Sequence, residues 1–152
     1  MKLKIRLNTI FLLPIFLLLL LFTTLVLRYT KEKYEKRKLL IVGRQITVEV
    51  ADTPSKIVKG LIGRSSIRDD EGMLFLFKKP GRYGFWMMNM SFPIDIIWID
   101  ETKTIVGFVK NAQPCKLNCT IYRPPKPITY VLEVNANFTE RYGVKVGDKV
   151  EF

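Results

Sequence analysis

Two carboxylates set into apolar runs are the residues of this chain best placed to do chemistry: Asp95 among isoleucines at 94–99, and Glu133 in an alternating run at 130–136. A buried carboxylate is costly unless it is paired. Arg64, just beyond a short helical segment, is the expected partner of Asp95 or Glu133. Asn89 closes a Phe-Trp-Met-Met run, and Asn135 shares the alternating face of Glu133. Arg64, Trp86, Asn89, Asp95, Glu133 and Asn135 are therefore the candidate residues of a small polar-floored pocket, walled by Phe85, Trp86 and Met87 and suited to a small polar ligand. Two readings compete with it. One is a purely structural network of ion pairs and hydrogen bonds. The other is a hydrolase in which Asp95 and Glu133 work as an acid and base, as paired carboxylates do in glycosidases. The chain has no histidine, which excludes Ser-His-Asp and Cys-His catalysis, His-ligated zinc and an imidazole proton shuttle.

Soft-metal chemistry is the next possibility, since Met87, Met88 and Met90 crowd around Trp86. Thioethers suit Cu(I), but strand alternation splits the three between two faces, and methionine is a common core filler. Core packing is the expected role, and no metal or cofactor is expected. Cys115 and Cys119 have Cys-x-x-x-Cys spacing, open to a disulfide, free thiols or a metal needing two further carboxylate ligands. A small structural disulfide is the preferred reading. Asn-x-Ser/Thr sequons at Asn89, Asn118 and Asn137 are compatible with an external domain.

These residues must be positioned by short strands. Residues 45–51 alternate, with Ile46, Val48 and Val50 on one side. Asp52 or Thr53 then caps a short helix with Pro54 in its first turn, ended by Gly60 to Gly63. Further strands are expected at 73–77, 83–88, 94–99, 104–110, 130–136 and 149–152, separated by Pro, Gly and Asp turns, with a helical turn or two at 137–143. Seven short strands and one or two short helices predict a mainly β fold, an antiparallel sandwich or closed, jelly-roll-like barrel spanning 43–152. No βαβ spacing supports a parallel sheet.

A different pattern precedes this domain. From Leu7 to Leu27 the chain has 21 uncharged residues, ten of them leucine, enough to span roughly 30 Å as a helix. The run is longer than a signal-peptide core and offers no small-x-small cleavage site. It predicts a single transmembrane helix at about 7–27 behind a basic tail, so that 1–27 forms the anchor. Residues 28–42 then read as a charged juxtamembrane stalk. Of the net charge of +11, +3 lies in residues 1–27 and +4 in 28–42. The cations thus flank the apolar run instead of forming a basic face, so no nucleic-acid partner is expected. The partners expected are the membrane and, on a scaffold reading, another membrane protein met through the helix or the Pro-rich 123–127 loop. The cation count at the two flanks favours retaining the domain inside. An anchor that comes first and a cysteine pair favour the extracytoplasmic side, which is the expectation adopted.

A family resemblance covers 44–152. Val48-Glu49-Val50-Ala51-Asp52-Thr53-Pro54, Gly60-Leu61-Ile62-Gly63-Arg64, Gly72-Met73-Leu74-Phe75 and Phe85-Trp86-Met87 follow in order. Pro93-Ile94-Asp95-Ile96-Ile97, Ile99-Asp100, the run from Tyr130 to Ala136 and Gly147-Asp148 complete the series. In this combination the chain resembles the DUF192 family. The resemblance implies a compact, mostly β domain, often behind an export signal or membrane anchor, with no established catalytic residues to transfer. Met88 and Met90 stand where the family commonly has Lys and Thr, which removes a cation from that strand. Asn137 replaces a glycine, and asparagine tolerates the left-handed turn expected there.

Overall fold

The computed structural model describes residues 9–29 and 33–152. They fall into two units that divide after Lys33. In the first, α1 (Thr9–Tyr29) contains Pro14, and the hydroxyls of Thr23 and Thr24 donate back to the Leu20 and Leu21 carbonyls at 2.9 Å. The large apolar side chains described from Leu13 to Phe22 are each more than half exposed. Among the described residues no helix is long and apolar enough to cross a membrane, so the span expected at about 7–27 is not shown. The basic tail Lys2, Lys4 and Arg6, and Lys31 and Glu32 of the expected stalk, lie outside the described residues.

In the second unit the strands are β1 (Glu35–Ile41), β2 (Arg44–Ala51), β3 (Glu71–Gly81), β4 (Ile94–Ile99), β5 (Ile105–Ala112), β6 (Ile128–Asn135) and β7 (Val150–Glu151). Two short helices, α2 (Pro54–Lys59) and α3 (Phe138–Arg141), interrupt them. The strands form one sheet in the order β5-β4-β6-β3-β2-β1-β7. Its two edges approach at one end, where Thr104 bridges Lys149, Ile105 N donates to Asp148 O at 2.9 Å and Val150 N to Lys103 O at 3.0 Å. The result is a half-barrel curled from a single sheet, not the sandwich or closed barrel expected.

Three further expectations are corrected. The charged residues 35–38 belong to β1, which pairs along its whole length with β2, because Leu39 and Ile41 behind them are fully buried. The sheet contains one parallel pair, β2 with β3, joined through α2. The strand expected at 83–88 is reduced to isolated bridges, Phe85 to Tyr122 and Met88 to Cys115.

Both faces of the sheet are covered. Leu39, Ile46, Val48, Leu74, Ile97, Leu132, Val134 and Phe138 pack together on one face. Met73, Phe75, Phe85, Ile94, Ile96, Trp98 and Val131 pack on the other. All six residues of β4 are buried, which explains its nearly unbroken apolar sequence.

Candidate functional site

On β6, alternation sends Leu132 and Val134 to the first face and Val131 and Glu133 to the second. Above the second face lies α2. Its N-cap Thr53 accepts from Lys56 N at 3.3 Å, as the Asp-Thr-Pro sequence suggests. It stops at Gly60, whose φ of +48° is left-handed and whose N–H reaches Lys56 O at 2.8 Å. A side chain there would sit against Phe75, 3.4 Å from its ring, and 3.9 Å from Glu133 Oε2. Glycine therefore keeps the approach to the carboxyl clear.

The segment after β3 closes the opposite side. Phe85 exchanges both backbone hydrogen bonds with Tyr122, at 2.9 and 2.8 Å. Cys115 N donates to Met87 O at 3.1 Å, and Asn89 N donates to Cys115 O at 3.0 Å. Cys115 is joined to Cys119 by a disulfide with the Cα atoms 5.7 Å apart, tying the loop that holds this segment down.

Between α2 and residues 83–90 is a cavity of about 180 Å³, walled by Ile57, Leu61, Phe75, Phe77, Tyr83, Phe85, Trp86 and Met90, with Glu133 on its lining. Glu133 is only 6 % exposed. Among the described residues no hydrogen bond or ion pair to its carboxyl is found, and burial pushes it up to about 8. At neutral pH it is mostly a protonated acid in an apolar chamber, able to donate a hydrogen bond or, once ionised, to hold a cation.

The six sequence candidates do not converge. Trp86 and Glu133 share the cavity. Asp95 points to the opposite face, since it pairs across the sheet with Val134 while Ile96 pairs with Glu133. Its carboxylate is saturated: Oδ1 accepts Asn111 N at 2.8 Å and Asn137 N at 3.1 Å, and Oδ2 accepts Thr139 N at 2.8 Å and Thr139 Oγ1 at 2.6 Å. Arg64 meets neither expected partner and instead makes a bidentate pair with Glu49. Asn135 donates to Ile67 O at 2.8 Å and Asp69 Oδ1 at 3.2 Å, fastening the 64–70 loop. Asn89 is a turn residue at φ +58°.

The expected wall is corrected too. Met87 is core, 1 % exposed, whereas Phe75, Phe77 and Tyr83 line the cavity. The register of β3 against β6, Met73 to Glu133 and Phe75 to Val131, puts Met73 and Phe75 on Glu133's face. The alternation Met73, Phe75, Phe77 in the sequence carries that signal once the strand is paired.

Comparison with known proteins adds four findings. The family model DUF192, described as an uncharacterized ACR, matches residues 38–152. A UPF0127 protein from Pyrococcus abyssi is 32 % identical over 110 residues, covering 69 % of this chain and 85 % of its own. Of solved structures, a candidate transcription regulator from Sinorhizobium meliloti superposes with a TM-score of 0.75 at 35 % identity, over 80 % of this chain and 96 % of its own. A protein of unknown function from Novosphingobium aromaticivorans superposes at 0.74 with 31 % identity, over 81 % and 89 %.

Proposed function

Since the chain belongs to the DUF192 family, in which no chemistry is characterised, its own site must carry the assignment, and we propose that it is a membrane-anchored binding module. The cavity beneath α2 holds a small ligand by apolar contact and one polar interaction with Glu133. The observation that carries this reading is a carboxyl buried in an aromatic chamber without a partner. Glutamate is almost never buried unless paired, so a chamber that leaves it unpaired fits one whose partner arrives from outside. At about 180 Å³ the chamber is smaller than the pockets that enclose drug-sized molecules, which limits the ligand to a few non-hydrogen atoms or one inserted group.

A hydrolase built on Asp95 and Glu133 has no support in this geometry, because a bond cannot be flanked by carboxylates on opposite faces of a sheet. The regulator label of the Sinorhizobium protein is not carried over either, because seven of the eleven net charges flank the apolar segment. Anchoring rests on the 21 uncharged residues from Leu7 and on the apolar side chains α1 leaves uncovered. The extracytoplasmic side is favoured by the Cys115–Cys119 disulfide, since disulfides persist in oxidising compartments.

The test is native against denaturing mass spectrometry of the full chain extracted from its natural membrane fraction. A reproducible native mass excess that disappears in Glu133→Gln is expected. A bare mass in both proteins would sink the binding reading in favour of a scaffold for another membrane protein.

A further inference from the structure

We propose that the ligand of this cavity is a small organic ammonium ion, seated against the Glu133 carboxylate within the aromatic wall. The inference rests on the binding reading above and names its chemistry. Five of the lining side chains are aromatic: Phe75, Phe77, Tyr83, Phe85 and Trp86. They brace one another. Phe77 and Tyr83 stack with centroids 3.8 Å apart, and Phe85 meets Phe75 and Phe77 edge-on at 5.2 and 6.3 Å. Ring faces carry negative charge density, so walls of this kind favour cations, and quaternary ammonium groups are recognised in such cages. An anion or a carbonyl oxygen gains nothing from a ring face.

The other ionisable neighbours leave the chamber itself without a competing charge. Of the residues lining the cavity only Lys59 and Tyr83 bear ionisable groups besides Glu133. Lys59, from α2, is exposed at the margin, where water screens its charge. The Tyr83 hydroxyl is occupied, donating to Lys79 O at 2.7 Å. Neither β3 nor β6 adds another ionisable group to the lining. The one buried charge the chamber can develop is therefore negative, and a cation answers it.

Binding has a proton balance. An ammonium ion enters, the protonated carboxyl of Glu133 releases one proton to solvent, and a carboxylate–ammonium pair remains. Because burial holds Glu133 at about 8, affinity for the cation should rise about tenfold from pH 6 to 7 and about fivefold from pH 7 to 8. A neutral hydrogen-bond acceptor would do the reverse, weakening as the acid ionises.

The experiment is calorimetric titration of the full chain in dodecyl maltoside with n-butylammonium, 1-butanol and butyrate at pH 6, 7 and 8. Expected is selective binding of n-butylammonium that strengthens about tenfold from pH 6 to 7 and about fivefold from pH 7 to 8, and that drops at least tenfold at pH 8 in Glu133→Gln. The wild-type pH series stands alone if that variant does not fold. Equal or tighter binding of 1-butanol or butyrate, or an ammonium affinity flat or falling with pH, overturns the cation and leaves the binding module intact. Failure of all three probes overturns the cation, and a bare native mass besides overturns the binding module as well.

Discussion

Asp95 and Glu133 are carboxylates of neighbouring strands, both almost fully buried, and their fates differ because of what surrounds their oxygens. Asp95 is met by three backbone N–H groups and a hydroxyl, so it serves as a knot tying β5 and the start of α3 to β4. Glu133 is met by hydrocarbon and rings, and it carries a pH dependence that can be written down. In the unfolded chain it ionises near 4.5, whereas in the folded chain it does so near 8. Between those values the folded chain keeps a proton that the unfolded chain has lost. The contribution of this group to stability is therefore complete below about pH 4.5, declines through the window and levels off above about pH 8, a fall on the order of a few kcal/mol. Glu133→Gln abolishes the slope. The variant should melt near the wild-type temperature at pH 5 and several degrees above the wild type at pH 8.5, as read by calorimetry without ligand. Parallel profiles for the two proteins would place the group's environment elsewhere. Sequence alone marks both carboxylates as embedded in apolar strands; it does not reveal that they face opposite ways, because that depends on the pairing of β4 with β6.

Elements were legible where local chemistry decides them. Thr53-Pro54 and Gly60 bracket α2, alternation marks β2, and a run apolar on every residue marks β4. The failures have equally local causes. β1 begins Glu35-Lys36-Arg37-Lys38, charged like a solvated tail, and its inward signal is confined to Leu39 and Ile41. The hairpin that follows turns through Val42 and Gly43, both at positive φ. Valine there is sterically disfavoured and hides a two-residue turn that Asn-Gly would have announced. The Phe85–Met88 stretch has strand composition but bonds only at separated residues, with Phe85 and Trp86 on the cavity wall and Met87 in the core. The position of β1 between β2 and β7 has a consequence for truncation. A chain beginning at residue 43 exposes one edge of β2 and removes Leu39 and Ile41, both 0 % exposed, from the core. Deleting side chains of that size costs about 2–5 kcal/mol each, comparable in sum with the whole stability of a domain. Such a chain should show no cooperative melting transition, while one beginning at residue 34 should melt cooperatively. Equal melting of the two would deny β1 its structural part.

At the scale of the whole molecule, charge and hydropathy divide it as the fold does. The described residues separate after Lys33 into a helix-bearing unit and the half-barrel, and the match to the family begins only at residue 38. The sheet closes its own edges at the Thr104–Lys149 end and covers both faces with its own side chains. The two clusters that fill its core are built from residues of the second unit. The large apolar side chains described from Leu13 to Phe22 are, by contrast, left bare: at about 25 cal/mol per Å² of apolar surface, ten leucines in a 21-residue run make an aqueous existence costly. Two consequences separate cleanly in one deletion. Removing residues 1–33 should leave the melting temperature of the half-barrel within a degree or two of its value in the full chain. It should also move the protein from the alkali-resistant membrane pellet to the supernatant. A large drop in melting temperature would mean that α1 packs on the domain and is covered by it. An unchanged pellet would mean that the half-barrel itself holds the membrane, through its own surface or through a partner. A full chain already free in the supernatant would remove the anchor altogether.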